Sequence, residues 1–294
     1  MNPFPSILVP LDGSSTAARS LGCATWLARR LGSRLHVLNA GPDPLPAREA
    51  LTRLKVPEAA WPLVVLHQAP ACPADAVLEA VAQYEVQLVV MTARGKTAEA
   101  QAAGDTTRLV GHVTHAVLER SPVPVLLLPP AYREELPWTR VLVPVSGEAE
   151  ADAALTLAVR LARALDLGVH VVHVIPPGDG DADLAARARY ADALHHEYPR
   201  QLEEVVSRAL ADCTPGERCR VEDVALGYGE VDTELLALIE RKRVSLLVIG
   251  WHGCLASGRA PVLRRLIESV ASPLLLVKPA EPQPFRLKVG EEIE

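Results

Sequence analysis

The feature that most constrains the fold is a short apolar stretch that ends in a glycine turn and occurs twice. Residues 244–253 read Val-Ser-Leu-Leu-Val-Ile-Gly-Trp-His-Gly, and residues 86–95 match them position for position at an offset of 158. Unbroken aliphatic and β-branched residues followed by glycine are typical of a buried parallel strand. The chain is therefore predicted to be one structural unit written twice.

The duplication extends over most of the chain. A gap-free offset of 134 aligns three further pairs of segments: Val9-Pro10 with Val143-Pro144, Leu27-Ala28-Arg29 with Leu161-Ala162-Arg163, and His36 with His170. After the glycine turn the offset falls to 149, which places Pro124 under Pro273. The second half is thus longer between its second and fourth strands, where we predict a long helix over positions 181–211. Such insertions fall in connections, where the fold tolerates them best.

Strands and helices alternate along each half. In the first half, strands are predicted from Ile7 and over residues 35–40, 63–67, 86–91 and 123–128, with helices over 17–31, 73–84 and 113–120. This alternation favours parallel strands joined by right-handed crossovers, and hence an α/β fold whose open sheet is covered on both faces. In such sheets, ligands bind beyond the carboxyl ends of the strands where the strand order reverses. If the first strand lies next to the fourth, the crevice lies at the ends of those two strands.

The length of 294 residues suits two domains, each large enough to bury its own core. We place the first domain at residues 1–131, a linker at 132–138, the second domain at 139–280 and a polar tail at 281–294. The two closing strands, at residues 123–128 and 273–277, are short, apolar and led by proline, which suits a specific edge contact. The sequence therefore predicts an intramolecular pseudo-dimer, and it leaves a further homodimer open.

Composition excludes several classes of function. The net charge of −6 and the pI of about 5.9 give no electrostatic footprint for nucleic acid or for anionic lipid. The chain has no run of 18 apolar residues, and its start lacks the basic and apolar segments of a signal peptide. Five scattered cysteines suit reduced thiols. We therefore expect a cytoplasmic protein that binds neither nucleic acid nor membrane.

The first half carries a candidate anion site at the predicted crevice. Asp12 ends the first strand, Arg94 and Gly95 follow the fourth, and Gly111 and His112 begin a helix. A glycine loop and a helix N-terminus present backbone N–H groups to a phosphate, while a carboxylate accepts from ribose hydroxyls or an adenine amine. The alternative interpretation is that the glycines only form turns and that Asp12 is a helix-cap residue.

No catalytic or metal-binding constellation accompanies this site in the sequence. The chain lacks a serine nucleophile elbow, a Walker lysine and a His-x-Gly-His motif. Cys213 and Cys219 have no second pair of ligands nearby, and the run His195-His196-Glu197 points to different sides of a predicted helix. The sequence therefore predicts a protein that is not an enzyme, leaves a feeble ATPase activity open, and predicts no metal site.

Several motifs together resemble the universal stress protein family in its tandem form. They are a strand ending in proline at the start of each half, Leu-Ala-Arg before each second strand, the loop Gly250-x-x-Gly253, and closing strands that read Pro-Val-Leu-Leu-Leu and Pro-Leu-Leu-Leu. The resemblance covers nearly the whole chain. It implies two Rossmann-like, five-stranded parallel-sheet domains of the adenine nucleotide alpha hydrolase-like type, packed as a pseudo-dimer.

The resemblance also implies a ligand. In nucleotide-binding members, a loop reading Gly, two residues, Gly, nine residues, Gly-Ser/Thr holds the phosphates of ATP, and an aspartate and a valine hold the ribose and adenine. The first half keeps Asp12, Gly95 and Gly111 of this pattern, but the spacer between its two glycines, positions 96–110, is longer than the pattern allows. Three other residues stand for the first glycine, the Ser/Thr and the valine: Thr92, His112 and Ala40.

The second half departs from the pattern at different positions. It keeps Val174, Gly250 and Gly253, but Ser146 replaces the aspartate and Ala260-Pro261 replaces Gly-Ser/Thr. Because proline has no N–H, position 261 removes a donor that a phosphate would use. Each half therefore lacks something that the other keeps.

Two interpretations follow. In the first, one half binds ATP or AMP, with Mg²⁺ accompanying ATP, and arginines replace the lost backbone donors: Arg94 and Arg108, or Arg259 and Arg264. The first half is the better candidate, and the protein would act in stress response with an unidentified protein partner. In the second, the protein is an interaction scaffold without a nucleotide. The candidate nucleotide-binding residues are Pro10, Asp12, Ala40, Met91, Arg94, Gly95, Gly111, His112, Val174, Gly250 and Gly253.

Overall fold

The structure, a computed structural model, describes residues 2–95, 109–146, 149–175, 204, 206–210, 220–255 and 259–279. The strands of the first half are β1 Ser6–Pro10, β2 Arg34–Ala40, β3 Val64–Ala69, β4 Leu88–Thr92 and β5 Val125–Leu128. Its helices are α1 Ser15–Ala18, α2 Ser20–Leu31, α3 Ala47–Arg53, α4 Pro73–Gln83 and α5 His112–Arg120, with a 3-10 helix at Glu58–Leu63. The second half has β6 Arg140–Pro144, β7 Gly168–Ile175, β8 Arg220–Tyr228, β9 Leu246–Gly250 and β10 Leu274–Val277, with α6 Ala149–Leu165, α7 Val231–Lys242 and α8 Pro261–Ser269.

These ten strands form one sheet in the order β3-β2-β1-β4-β5-β10-β9-β6-β7-β8. Every pairing within a half is parallel, and the two halves repeat the same strand order. The order reverses between β1 and β4, because β2 and β3 lie on one side of β1 and β4 and β5 on the other. The predicted Rossmann-like fold, written twice, is confirmed, and the first strand does lie next to the fourth.

The halves meet through their closing strands. β5 and β10 pair antiparallel, with Leu126 opposite Leu275 and Leu127 opposite Leu274. Leu126 and Leu275 occupy equivalent positions of the two halves, so a pseudo-two-fold axis passes between them. All residues of both strands are buried. The predicted edge contact between the halves is therefore confirmed.

Two apolar layers cover the sheet. One layer contains α2 and α6, whose buried faces include Leu27 and Leu155. The other contains α4, α5, α7 and α8, whose buried faces include Val77, Leu118 and Leu266. Each layer contains residues of both halves in one cluster, so the halves share their core across the β5–β10 junction.

The connection after β1 shows how the sequence determines local structure. Ser14 is the N-cap of α1, and its Oγ accepts from the Ala17 N–H at 3.0 Å. The predicted helix over residues 17–31 starts earlier and is divided at Arg19 into α1 and α2. It ends at Gly32, which has φ of 68°, a left-handed conformation that glycine adopts easily.

Other predicted boundaries are shifted slightly. β4 begins at Leu88 rather than at residue 86, β3 runs to Ala69 rather than to residue 67, and β5 begins at Val125 rather than at residue 123. Strand ends are poorly marked, because an apolar residue just outside a strand has the same pattern as one inside it. The predicted long helix at 181–211 falls mainly outside the described residues, as do the motifs at 195–197, 213 and 219. Its described positions, 204 and 206–210, are helical.

The predicted linker packs against the first half. Tyr132 and Trp138 are each only 4% exposed, and the Trp138 ring lies 5.0 Å from that of Trp26 in α2. The Arg133 N–H donates to the carbonyl of Ala271 at 3.2 Å. Residues 132–138 thus contact both halves. No helix among the described residues is long and apolar enough to cross a lipid bilayer.

Candidate functional site

The first-half crevice lies beyond the carboxyl ends of β1 and β4, where the sequence predicts it. Asp12 follows β1 and is exposed. Its Oδ1 accepts from the Ser14 N–H at 2.9 Å and from the Ser14 Oγ–H at 2.6 Å. Ser14 is therefore the helix cap, and Asp12 orients it. The alternative interpretation of Asp12 as the helix cap is thus wrong, because the cap is Ser14.

The other carboxylate oxygen faces the glycine loop. A Cβ added at Gly95 would lie 2.7 Å from Asp12 Oδ2, a separation that real side chains do not tolerate. Only glycine lets the carboxylate approach the loop this closely. The end of β1 and the loop after β4 therefore form one continuous surface.

The N-terminus of α5 joins the same surface. The Gly111 N–H donates to the Ala93 carbonyl at 2.8 Å, and the Thr114 Oγ–H donates to the Thr92 carbonyl at 3.0 Å. A Cβ at Gly111 would lie 3.9 Å from the Gly95 nitrogen. Gly111 is the N-cap of α5 and carries no side-chain cap. The first turn of a helix leaves backbone N–H groups without intrahelical partners, so this end suits an anion.

The remaining first-half candidates lie around this point at different depths. Pro10 ends β1 and Ala40 ends β2, and both are partly buried. Met91 is 5% exposed and belongs to the apolar layer on the α5 face. Arg94 is partly buried, and His112 is exposed at the first position of α5. Arg108 lies outside the described residues.

The glycines of the second half make close contacts within the protein. A Cβ at Gly250 would lie 2.1 Å from the backbone carbonyl oxygen of Glu150, in the first turn of α6. Gly253 has φ of 83°, and a Cβ there would lie 2.9 Å from Lys278 Cε. Both glycines are therefore required for packing, whether or not a ligand binds.

The other second-half positions offer fewer ligand groups than the first half. Ser146 is exposed at the end of β6, and Pro261 begins α8 behind Ala260, which has φ of 50°. The Arg264 guanidinium donates to the Leu255 carbonyl and, at 3.2 Å, to the Arg259 carbonyl. It holds the loop rather than an anion.

Val174 lies at the end of β7. Its equivalent in the first half is Ala40, at the end of β2. Val174 is 8% exposed, and a Cβ at Gly227 would lie 3.3 Å from its Cγ2. Neighbouring β8 thus covers this side chain.

The family of the chain follows from comparison with known proteins. A model of the universal stress protein family matches residues 43–129 and 137–278, one segment in each half. These segments make up more than half of the chain. The chain belongs to the universal stress protein family. It is a tandem member, since each half matches separately.

Solved structures agree on the fold of this tandem universal stress protein. A protein from Pseudomonas aeruginosa UCBPP-PA14 assigned to the same family superposes with a TM-score of 0.64 at 16% identity, over 94% of each chain. A universal stress protein from Archaeoglobus fulgidus DSM 4304 gives a TM-score of 0.62 at 19% identity, over 93% of this chain and 98% of that one. At such identities the likeness shows the fold alone. No curated protein matches this chain.

The chain also contains a histidine pair, one member buried and the other partly buried, that sequence reasoning missed. His36 on β2 and His67 on β3 place Nδ1 and Nε2 2.8 Å apart, with ring centroids 5.1 Å apart and ring planes 13° apart. These values describe nearly coplanar rings whose nitrogens point directly at each other, as in one linear hydrogen bond. Two ligands of one metal ion would instead converge on a third point.

The surroundings of the pair oppose its protonation. His36 is 6% exposed, and its Nε2 has no hydrogen-bond partner among the described residues. Burial lowers the pKa of both imidazoles, and their mutual repulsion lowers the pKa of His36 further. The neutral pair fits best with His36 Nδ1–H donating to His67, since the buried Nε2 then carries no unpaired hydrogen. Only the register of β2 against β3 reveals this contact.

Two lysines near the glycine loops are also absent from the sequence-based prediction. Lys55 follows α3, and its Nζ donates to Ser15 Oγ at 2.6 Å beside the Asp12 turn. Lys278 follows β10 and packs on Gly253. Neither lies in a motif, so only the fold identifies them.

Proposed function

We propose that the first half of this tandem universal stress protein binds an adenine nucleotide, ATP or AMP. The observation that carries the proposal is the convergence of Asp12, Gly95 and Gly111 at the strand-order reversal. An exposed carboxylate, a glycine loop and a helix N-terminus that begins at glycine are the groups that a ribose or adenine and a phosphate require.

The charges suggest how the nucleotide would lie. The Asp12 carboxylate next to Gly95 would repel a phosphate, so hydroxyl or amine donors of the nucleoside belong at Asp12. The phosphates then belong at the start of α5, where the helix dipole favours negative charge. Among the described residues no three His, Cys, Asp or Glu side chains could hold a metal ion together. Mg²⁺ would therefore arrive with ATP, bound to its phosphates.

We propose that the protein acts by binding rather than by turnover. The sequence has no Walker lysine and no nucleophile elbow, and the second half has lost the acidic residue of its crevice to Ser146. Nucleotide binding would then change the conformation of this protein, and a partner protein would respond to that change in a stress-response or regulatory role.

The rival proposal is a scaffold of the same family without a nucleotide. The closed packing around Gly250 and Gly253 favours it for the second half. The engagement of Asp12 Oδ1 by Ser14 favours it for the first half, because one carboxylate oxygen is already satisfied.

Equilibrium dialysis with labelled ATP separates the two proposals. Asp12→Asn keeps an oxygen for Ser14 and removes the charge, whereas Ser146→Ala changes the equivalent position of the second half. We expect wild type to bind about one ATP per chain, Asp12→Asn to bind at least about tenfold more weakly, and Ser146→Ala to match wild type. Absence of saturable binding by wild type removes the nucleotide proposal, and equal affinity of Asp12→Asn removes the site.

A further inference from the structure

Lys278 joins the two halves at the glycine loop of the second half. Its Nζ donates to the carbonyls of Glu119 at 2.6 Å and Ser121 at 3.2 Å, at the C-terminal end of α5 in the first half. Its methylenes pack on Gly253, and its ammonium lies 5.5 Å from the centre of the Trp251 ring. Burial lowers the pKa of this ammonium. The loop that would hold phosphates in the second half thus holds a lysine side chain.

A second contact strengthens the same junction. The Leu255 N–H, from the same loop, donates to Glu119 Oε1 at 3.2 Å. Glu119 Oε2 lies 3.5 Å from His115 Nδ1, one turn back along α5. The last turn of α5 is therefore held by both a side chain and the backbone of the second half.

The pseudo-two-fold axis does not repeat this contact. The offset of 149 places Pro129 at the position equivalent to Lys278. Proline has no side-chain donor, so α8 receives no corresponding cap from this position of the first half. A cation at the C-terminal carbonyls stabilises a helix, and of these two equivalent helices only α5 receives one from the residue after the closing strand.

The opposite end of α5 forms the candidate nucleotide site. Two hydrogen bonds position that end, from Gly111 N–H to Ala93 and from the Thr114 hydroxyl to Thr92. α5 has nine residues, so it is about 13 Å long. A helix this short moves as one body, and a contact at one end affects the position of the other.

We infer that Lys278 is a positioning residue for the first-half site, which it serves by holding α5 with its N-terminal N–H groups toward the crevice. The glycine loop of the second half then provides the surface on which this lysine packs. The inference takes its ligand from the proposed function, but the positioning of α5 does not depend on any ligand.

Amide hydrogen exchange tests the positioning on the ligand-free protein. Lys278→Met keeps the packing on Gly253 and removes both hydrogen bonds. Exchange of the Gly111 and His115 amides should become about five- to tenfold faster, while the amides of β1 keep their rates. Lys242→Met is the matched control, since it removes a lysine bond of 3.0 Å to Asp223 on β8, within the second half, and it should change neither amide. Unchanged exchange in Lys278→Met, or an equal increase in β1, would overturn the inference.

Nucleotide binding tests the consequence. The affinity for labelled ATP should fall about three- to tenfold in Lys278→Met and stay at the wild-type value in Lys242→Met. ATP should also change the fluorescence of Trp251. The Trp251 signal is obtained by subtracting the fluorescence of Trp251→Phe from that of wild type. In Lys278→Met, ATP should no longer change this signal. Wild-type affinity in Lys278→Met would refute the effect on the site. If wild type binds no ATP, the proposed function fails, and the exchange experiment still decides the role of Lys278.

Discussion

The packing of Gly250 leads to a prediction that separates a structural glycine from a ligand-binding one. A Cβ at Gly250 would lie 2.1 Å from the Glu150 carbonyl oxygen and 2.6 Å from the Ala151 nitrogen, both of which are backbone atoms. Carbon and oxygen atoms in contact are normally more than about 3 Å apart, so Gly250→Ala requires the first turn of α6 to move by about 1 Å. Backbone shifts of this kind destabilise a packed core by about 1–3 kcal/mol.

Gly22→Ala provides the matched control. Its Cβ would lie 2.0 Å from Glu134 Oε1, an equally short distance, but the obstacle is the end of an exposed, flexible side chain. Glu134 can rotate away at little cost. Gly22 lies inside α2, where alanine is favoured over glycine by about 1 kcal/mol. This variant should therefore be as stable as wild type or more stable.

Urea denaturation followed by circular dichroism measures both variants. With a slope of about 3 kcal/mol/M, the midpoint of Gly250→Ala should fall by about 0.3–1 M, and that of Gly22→Ala should stay or rise. If Gly250→Ala stays within about 0.1 M of wild type, or if Gly22→Ala is the more damaging change, the packing argument is refuted.

Three further predictions concern stability. Ser14→Ala should destabilise the protein by about 1 kcal/mol in urea denaturation, because the Ala17 N–H loses its cap, and it should also weaken ATP binding by releasing Asp12. Trp138→Ala should lower the free energy of unfolding by about 3–5 kcal/mol, since its ring is buried against Trp26; a loss below about 1 kcal/mol would contradict a packed linker. Below pH 6.5 the unfolded chain binds more protons than the folded one, because the pKa values of His36 and His67 are lowered by burial. Stability should therefore decline from pH 7 to pH 5, and His36→Phe should decline less over the same pH range.

The strands and their pairing could largely be predicted from the sequence. The three offsets between the halves, 134, 158 and 149, give the starts of β6, β9 and β10 from those of β1, β4 and β5. This works because a central parallel strand is buried on both faces, so its apolar run is a local signal. The β5–β10 contact follows from the same signal, because two short apolar edge strands need cover.

The roles of the loop residues could not be predicted, because they depend on partners distant in the chain. Gly250 and Gly253 read as a phosphate loop, but their close neighbours are Glu150 and Lys278, which belong to other elements of the second half. His36 and His67 meet only through strand register. No local pattern marks such contacts, whereas the Ser14 turn is built from neighbours in sequence.

Comparison of the two halves indicates that the acidic residue after the first strand is a better sign of a ligand site than the glycines of the loop after the fourth strand. Both glycines of the second half have a structural reason within the fold: Gly250 lies against the backbone of α6, and Gly253 has a positive φ and lies against the Lys278 side chain. An exposed carboxylate at a strand end has no comparable packing role, although Asp12 does orient Ser14. The half that keeps the carboxylate is therefore the half in which a nucleotide site is expected, even though its glycine loop departs further from the family pattern. In the half that keeps the glycines, Lys278 packs on the glycine loop. The second half would then contribute to nucleotide binding through the contact of Lys278 with α5.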